Sequence, residues 1–340
     1  MKAFVTGGGG FLGLAIVREL CARGDEVVSF SRSKNRQLDV LGAQHVTGDL
    51  TDGTSLAHAM KGADTVFHVA AKAGIWGARE EYERTNVAGT RHVVDACRAN
   101  GVQRLVFTSS PSVCFDGRDH VNASNDLPYP TKFLAHYPAS KAEAERLVLA
   151  ANDRDGEQGL ATCALRPHLI IGPGDPHLLP RLIARARARR LVIIGRGDNE
   201  VSLTYIDNAA HAHVCAADRL EPRAPHAGQA YFVTQQEPVQ LWTWVNALLG
   251  ELGIAPVTKR VSLPVAYAAG ALCEAAWTWS RREGEPPMTR FLALQLARSH
   301  TYDMTSAKRD FAYVERVGMP EATARVVAAM RSAHLAAART

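Results

Sequence analysis

A glycine-rich segment near the start of the chain constrains the fold more than any other feature. Positions 6–13 read TGGGGFLG, after a short apolar run at 3–5 and at the start of a helical pattern over 12–22. In this context Gly7 allows a tight turn, Gly10 lets the backbone approach a pyrophosphate, and Gly13 lets the helix pack closely on the strand. The helix N-terminus offers N–H groups to the phosphates. The segment therefore predicts a dinucleotide-binding turn.

The rest of the chain falls into two parts with different patterns. Short strand-like runs at 27–30, 45–47, 65–69, 105–108 and 162–165 alternate with helix-like stretches. This alternation is typical of an α/β Rossmann fold with a doubly wound parallel sheet. After about residue 170, helical patterns dominate at 182–190, 208–218, 239–252, 266–279 and 320–338. We expect a dinucleotide-binding domain over 1–170, with strand returns up to about residue 235, and a smaller, mostly helical substrate-binding region over 171–340.

The net charge and the cysteine pattern argue against several classes of protein. A net charge of +5 over 340 residues is a mild, scattered excess, so we expect no nucleic-acid partner. The six cysteines form no CxxC pair and no Cys/His cluster, which predicts no bound metal and a reducing, cytoplasmic location. The densest basic run, at 181–190, predicts either a solvated helix face or a docking surface for an acidic partner or an anionic lipid.

One apolar segment leaves contact with a membrane open. Residues 263–279 are interrupted by Pro264, Gly270 and Glu274, and they are short for a membrane span. Two interpretations fit this segment. It is either a core helix or lid over the substrate, or an interfacial helix in peripheral contact with a bilayer.

The end of the second strand indicates which dinucleotide is preferred. A carboxylate there binds the ribose hydroxyls of NAD, whereas an arginine accommodates the 2′-phosphate of NADP. Positions 29–34 read SFSRSK, with no acid and with Arg32 near the expected position. We expect NADP(H) to be preferred, and NAD(H) to be accepted as well if Arg32 is only a surface residue. Asp49 is expected to bind the adenine amino group or, like Thr51, to cap a helix.

A serine cluster and a Tyr-Lys pair supply candidate catalytic groups. Positions 107–113, after the fifth strand, read FTSSPSV, while Tyr137 and Lys141 lie one helical turn apart on one face. Free tyrosine has a pKa of about 10, and a nearby ammonium favours the phenolate. Tyr137 is thus expected to move a proton at a carbonyl or hydroxyl oxygen. A serine hydroxyl stabilises that oxygen, and Lys141 also holds the nicotinamide ribose.

Together these motifs resemble the extended short-chain dehydrogenase/reductase superfamily along nearly the whole chain. The resemblance rests on TGGGGFLG, the GDL turn at 48–50, NVAGT at 86–90, the serine cluster, Tyr-x-x-x-Lys and LRPH at 165–168. It implies an NAD(P)-dependent oxidoreductase with Ser110 as the catalytic serine, Ser109 and Ser112 being open alternatives, and with Asn86 helping to hold a water behind Lys141. The residues that we expect at the cofactor are Gly7, Gly10, Phe11, Leu12, Gly13, Arg32, Asp49, Leu50, Ala70, Ala71, Tyr137, Lys141 and Pro167.

Within that superfamily the chain resembles the 3β-hydroxysteroid dehydrogenase branch. Segments 67–77 and 284–291 look most like the 2-alkyl-3-oxoalkanoate reductases of bacterial long-chain olefin biosynthesis. That resemblance implies NADPH-dependent reduction of a long-chain β-keto acid and assembly with the other olefin-pathway enzymes. Segments 165–173, 176–182 and 204–208 fit sterol-4α-carboxylate 3-dehydrogenases equally well, which implies oxidation of a 3β-hydroxyl followed by loss of CO₂.

Both of these lipid-like substrates carry a carboxylate β to the reacting oxygen, flanked by hydrocarbon. Candidate partners are Lys72, His168 and Arg290 for the carboxylate, and Trp76, Trp277 and Trp279 for the hydrocarbon. Each has a plain alternative: a surface lysine, a satisfied buried histidine, core tryptophans, or an arginine paired with Glu283 or Glu285.

Other functions on the same fold are less well supported. Dehydratases place an Asp-Glu pair beside the catalytic Ser or Thr, but Pro111 and Ser112 stand there in this chain. A tryptophan-rich C-terminal part suits hydrocarbon better than the sugar nucleotide of an epimerase. Non-catalytic NADP sensors typically lose the Tyr-Lys pair, which this chain keeps. The resemblance also implies a homodimer.

Overall fold

Seven parallel strands form the central sheet of the computed structural model, which describes residues 1–153, 159–280, 282 and 284–337. They are β1 Lys2–Thr6, β2 Glu26–Ser31, β3 Gln44–Thr47, β4 Thr65–His68, β5 Arg104–Thr108, β7 Ala161–Pro167 and β12 Ala230–Val233. Their order is β12-β7-β5-β4-β1-β2-β3. Because β1 lies between β2 and β4, the order reverses there and opens a crevice at the carboxyl ends of the strands. The predicted doubly wound α/β sheet is confirmed.

Helices cover both faces of this sheet. One face packs against α1 (Phe11–Ala22), α8 (Ile206–Arg219) and α12 (Thr305–Phe311). The other packs against α3 (Gly53–Ala59), α5 (Gly89–Ala99) and α6 (His136–Ala150). The remaining helices are α2 Arg36–Val40, α4 Arg79–Tyr82, α7 Leu178–Arg187, α9 Leu241–Glu251, α10 Leu263–Ser280, α11 Arg290–Ala297 and α13 Met319–Ala337, with a π-helix at Glu83–Ala88 and a 3₁₀ helix at Pro111–Cys114.

Short strands from one part of the chain pair with strands from the other. They are β6 His120–Ala123, β8 Ile170–Ile171, β9 Ile193–Ile194, β10 Glu200–Val201, β11 Thr204–Tyr205, β13 Val239–Gln240, β14 Arg260–Val261 and β15 His300–Tyr302. β6, from the first part, pairs with β15, while β12, from the second, extends the central sheet beside β7. These short strands were not predicted, because runs of two to four residues show no clear periodicity. The domain boundary at residue 170 stays a prediction.

Helix α10 corrects one expectation. Only Ala266, Gly270 and Glu274 of its residues are buried, so the core-helix interpretation is wrong. Position 270 must be glycine because a Cβ there would lie 2.6 Å from the backbone carbon of Thr289, just before α11. Among the described residues, no helix is both long enough and apolar enough to cross a membrane.

Candidate active site

The glycine turn forms an open cradle at the end of β1. Gly7 has φ +69°, and its N–H donates to the Phe30 carbonyl at 2.7 Å. A Cβ at Gly13 would lie 2.1 Å from the Gly7 carbonyl oxygen, so only glycine lets α1 approach this closely. The N-cap Gly10 offers no side-chain cap, which leaves the first N–H groups of α1 for an anion. The cradle fits the pyrophosphate of a dinucleotide.

Two polar side chains that the sequence analysis missed hold this cradle in shape. The Thr6 hydroxyl accepts hydrogen bonds from the N–H groups of Val69 and Ala70, both at 3.1 Å, and so ties β1 to the loop after β4. The Asn35 amide donates to the Gly9 carbonyl at 2.9 Å. A single polar residue at a strand end, like Thr6, or in a loop, like Asn35, gives no periodic signal, which explains why both were missed.

Arg32 and Asp49 lie near each other after the ends of β2 and β3. Arg32 is exposed, and its charge helps to lower the pKa of Asp49, after the larger effect of the hydrogen bond from the Thr51 N–H. The Asp49 carboxylate accepts that bond at 2.9 Å. Helix α3 is capped by Asp52, which accepts from the Ser55 N–H at 3.0 Å. The helix-cap interpretation of Asp49 and Thr51 is therefore wrong.

The other residues predicted at the cofactor lie along the same edge of the sheet. Phe11 and Leu12 begin α1, Leu50 follows β3, Ala70 and Ala71 follow β4, and Pro167 ends β7. Leu12, Leu50 and Pro167 are buried, whereas the two alanines are partly exposed. Contact of these residues with a cofactor stays a prediction.

Ser110 and Tyr137 meet at the end of β5. Burial raises the pKa of the Tyr137 hydroxyl, and a hydrogen bond with Ser110 partly opposes that rise. The Ser112 hydroxyl lies 3.0 Å from the Ser110 hydroxyl, while Ser109 is buried beside Glu145. The structure thus places Ser110 nearest to Tyr137, and its catalytic role stays a prediction.

Lys141 lies one turn after Tyr137 and is buried. Its ammonium donates to the Thr108 carbonyl at 2.6 Å and lies 4.0 Å from the centre of the Phe107 ring. Burial lowers the pKa of Lys141 to about 7, although the carboxylate of Glu145 opposes this effect. A buried lysine with a lowered pKa, one helical turn from a buried tyrosine, is the kind of pair that is found at functional sites.

Asn86 joins the loop after β4 to α6. Its side-chain oxygen accepts from the Lys72 N–H at 2.7 Å. Its amide nitrogen donates to the Lys72 carbonyl at 3.1 Å and to the Ser140 hydroxyl at 2.9 Å. These bonds place Asn86 next to the helix that carries Tyr137 and Lys141. The predicted water behind Lys141 stays a prediction.

A buried ion pair behind this site was missed by the sequence analysis. The Glu145 carboxylate binds Arg166 through Nε at 3.0 Å and Nη2 at 2.6 Å, and accepts from the Tyr129 hydroxyl at 2.6 Å. Burial alone would raise the pKa of Glu145, but Arg166 outweighs it and the pKa is lowered. The spacing of Tyr137, Lys141 and Glu145, one helical turn each, is a signal that could have placed Glu145 on the same helix face.

The candidate substrate residues separate into two places. Lys72, Trp76 and Arg290 line one groove of about 2380 Å³, together with Trp277 and Trp279 of α10. Tyr82, also in the groove, packs edge-on against Tyr137 with the ring centres 6.5 Å apart. His168 lies elsewhere, against the rings of His300 and Tyr302.

Each of the three charged or polar candidates has a partner in this structure. Lys72 pairs with Glu81 at 2.9 Å, and His168 Nδ1 lies 2.6 Å from the Ser202 carbonyl oxygen. Arg290 pairs with Glu274 at 2.6 Å. Pairing of Arg290 with Glu285 was wrong, because Glu285 binds Arg181 instead, and Glu283 lies outside the described residues. The substrate roles of all three stay predictions.

The parallel sheet, the glycine cradle and the Tyr-Lys pair define an oxidoreductase of the extended short-chain dehydrogenase/reductase class. Residues 4–265 match the 3-beta hydroxysteroid dehydrogenase/isomerase family, and the chain belongs to that family.

Named relatives and a solved structure agree with this assignment. The chain is 49% identical over 330 residues to a 2-alkyl-3-oxoalkanoate reductase of Stenotrophomonas maltophilia, covering 96% of this chain and 99% of the relative. It is 36% identical over 329 residues to the decarboxylating sterol-4-alpha-carboxylate 3-dehydrogenase of Mus musculus, covering 96% and 90%. The structure of MoeE5 in complex with UDP-glucose and NAD has a TM-score of 0.74 at 28% identity, covering 98% and 99%.

Proposed function

We propose that this protein reduces a long-chain 2-alkyl-3-oxoalkanoate to the 2-alkyl-3-hydroxyalkanoate with NADPH. The observation that carries the proposal is the placement of Ser110, Tyr137 and Lys141 at the same edge of the sheet as the glycine cradle. The 49% identity to a reductase of that name, over nearly the full length of both chains, supports the substrate.

The side chains of the site account for the proton in this reaction. The dinucleotide supplies the hydride when it is bound. Tyr137 Oη gives its proton to the carbonyl oxygen of the substrate, which becomes the hydroxyl of the product. With its ordinary pKa of about 10, a tyrosine hydroxyl already carries that proton at neutral pH. Ser110 donates a hydrogen bond to the same oxygen, and the Lys141 ammonium stabilises the phenolate left on Tyr137.

The preference for NADP(H) over NAD(H) rests on the end of β2. Arg32 is exposed there, and no carboxylate stands among positions 29–34 to bind the ribose hydroxyls of NAD. The guanidinium binds a 2′-phosphate through charge-assisted hydrogen bonds. Lys34 is paired with Asp39 at 3.0 Å, so Arg32 is the better phosphate partner in this segment.

A second candidate function is the oxidation of a sterol-4α-carboxylate. The relative from Mus musculus favours it, since that likeness also covers 96% of this chain. Both reactions act on an oxygen β to a carboxylate, so the same Ser-Tyr-Lys site serves either one. The substrate therefore has to be decided by experiment.

The test follows NADPH absorbance with two hydroxy substrates. A long-chain 2-alkyl-3-hydroxy acid is offered with NADP⁺, and a 4α-carboxysterol is offered with NAD⁺ and with NADP⁺. Working in the oxidative direction avoids the β-keto acid, which loses CO₂ spontaneously. Turnover of the fatty hydroxy acid alone supports the proposal, whereas turnover of the sterol alone, with CO₂ release, replaces it with the second candidate. A homodimer, assembly with olefin-pathway enzymes and a cytoplasmic location stay predictions.

A further inference from the structure

Helix α10 presents a continuous apolar face to solvent. The exposed apolar positions are Pro264, Val265, Ala268, Ala269, Leu272, Ala275, Ala276 and Trp279; the other exposed positions, Thr278 and Ser280, are polar but uncharged. Leu272 is 72% exposed and Trp279 is 91% exposed. Among the described residues, three of the six most exposed large apolar side chains lie on this one helix. A patch of this kind marks a binding surface.

The two sides of α10 differ in charge. Glu274 is the one charged residue of the helix, and it points inward, where it accepts from the N–H and the guanidinium of Arg290. Because position 270 is glycine, the helix packs directly against the backbone of Thr289. The inner side therefore fixes the helix to the protein, and the outer side is free of charge over the whole helix.

Exposed basic side chains lie beyond both ends of α10. Arg189 and Arg190 come just before β9, which pairs with β14. Lys259 comes just before β14 and Arg260 begins it, shortly before α10. All four are exposed. At the other end, Arg282 is exposed as well and lies over the Trp277 ring. An apolar face with basic residues around it complements the headgroups and acyl chains of an anionic bilayer.

We infer that α10 binds the surface of a membrane that contains anionic phospholipids, with its outer face in the acyl-chain boundary and the basic residues on the headgroups. A helix that lies flat in this way needs neither the length nor the uniform hydropathy of a spanning helix. Trp279, at the end of the helix, has the amphipathic ring that suits the boundary between headgroup and acyl chain. This binding does not depend on which substrate the enzyme reduces.

The location of α10 suggests what membrane binding does for the enzyme, and this step alone rests on the proposed function. Trp277 and Trp279 also line the groove that reaches Lys72 and Trp76. A lipid-like substrate that leaves the bilayer at α10 therefore enters that groove without crossing water.

The test is flotation of the full-length protein with vesicles, without substrate. We expect binding to vesicles of phosphatidylglycerol and phosphatidylethanolamine, weaker binding at high salt, and little binding to phosphatidylcholine alone. Leu272→Glu and Trp279→Glu should each weaken binding about tenfold or more, because each removes a large apolar side chain from the contact. Val314→Glu is the matched control, since Val314 is 64% exposed but lies away from α10, and it should bind as the wild type does.

Three outcomes would overturn the inference. The first is absence of flotation with anionic vesicles, and the second is undiminished binding of both α10 variants. In the third, the protein does not bind vesicles, and analytical ultracentrifugation shows that the wild type forms an oligomer that Leu272→Glu dissociates. That result would assign the face to a second copy of this chain. A double reversal, Arg189→Glu with Arg190→Glu, tests the basic residues separately and should lower binding to anionic vesicles without changing the apolar face.

Discussion

The carboxylate of Glu145 and the guanidinium of Arg166 form a two-point ion pair that is closed off from solvent, two helical turns beyond Tyr137. Their side chains are 0% and 4% exposed. The pair joins α6, which carries Tyr137 and Lys141, to β7 of the seven-stranded sheet. It therefore fixes how the helix presents the two candidate catalytic groups at the edge of the sheet.

Removing Glu145 should destabilise the protein strongly. Glu145→Ala leaves the Arg166 charge buried without its partner, which typically costs about 3–5 kcal/mol in the free energy of unfolding. Urea unfolding measures this loss. Glu143→Ala is the control on the same helix, because its contact with Arg146 at 3.7 Å is exposed, and the change should be under about 1 kcal/mol. Equal losses in the two variants would contradict the structural role of the pair.

Replacing the Tyr137 hydroxyl should slow turnover strongly and leave cofactor binding unchanged. Tyr137→Phe removes the proton donor while keeping the ring, so we expect kcat to fall by about 10²–10⁴-fold. NADPH binding, followed by fluorescence titration, should be unchanged. Tyr313→Phe is the control, since Tyr313 is buried and its hydroxyl has no hydrogen-bond partner among the described residues. A parallel loss of turnover and NADPH affinity in Tyr137→Phe would count against a proton-transfer role.

Reversing the charge of Arg32 should change the cofactor preference. Arg32→Asp removes the proposed phosphate partner and supplies a carboxylate for the ribose hydroxyls. The ratio of kcat/KM for NADPH to kcat/KM for NADH should fall by about tenfold to a hundredfold, the value of one or two charge-assisted hydrogen bonds. Arg118→Asp makes the same charge change at a side chain that is 85% exposed elsewhere, and should leave the ratio as it is. An unchanged ratio in Arg32→Asp would remove the basis for the NADP preference.

Buried histidines should make the fold sensitive to mild acid. Burial lowers the pKa of His68 to about 3 and the pKa values of His168 and His213 to about 4. The unfolded chain, with a histidine pKa of about 6.5, binds more protons in this range, so stability is complete above about pH 6.5 and is lost as the pH falls toward 4. Each histidine should cost about 2 kcal/mol at about pH 5.

Urea unfolding at about pH 7 and about pH 5 measures this dependence. His213→Asn should reduce the loss between the two pH values, because it removes one buried group that must take up a proton on unfolding. His58→Asn, at an exposed position of α3, should show the wild-type loss. If His213→Asn loses as much stability as the wild type, another group causes the acid sensitivity.

Part of the site could be predicted because its signals are local. The glycine turn, the strand that precedes it and the helix that follows it are contiguous, and each glycine is needed by a backbone geometry within a few residues. Tyr137 and Lys141 lie on one face of one helix, so their spacing alone places them together. Thr6 and Asn35 gave no such signal, since their partners belong to loops whose positions depend on the sheet.

The sequence by itself determined the doubly wound sheet and the cradle at its edge, because hydrophobic periodicity and backbone conformation are set by neighbouring residues. Only the tertiary structure decided that Arg290 pairs with Glu274 and not with Glu285. It also decided that α10 turns an apolar face outward. Ion-pair partners and exposure depend on segments that meet only when the chain packs, and the composition of a helix does not reveal which of its faces will be covered.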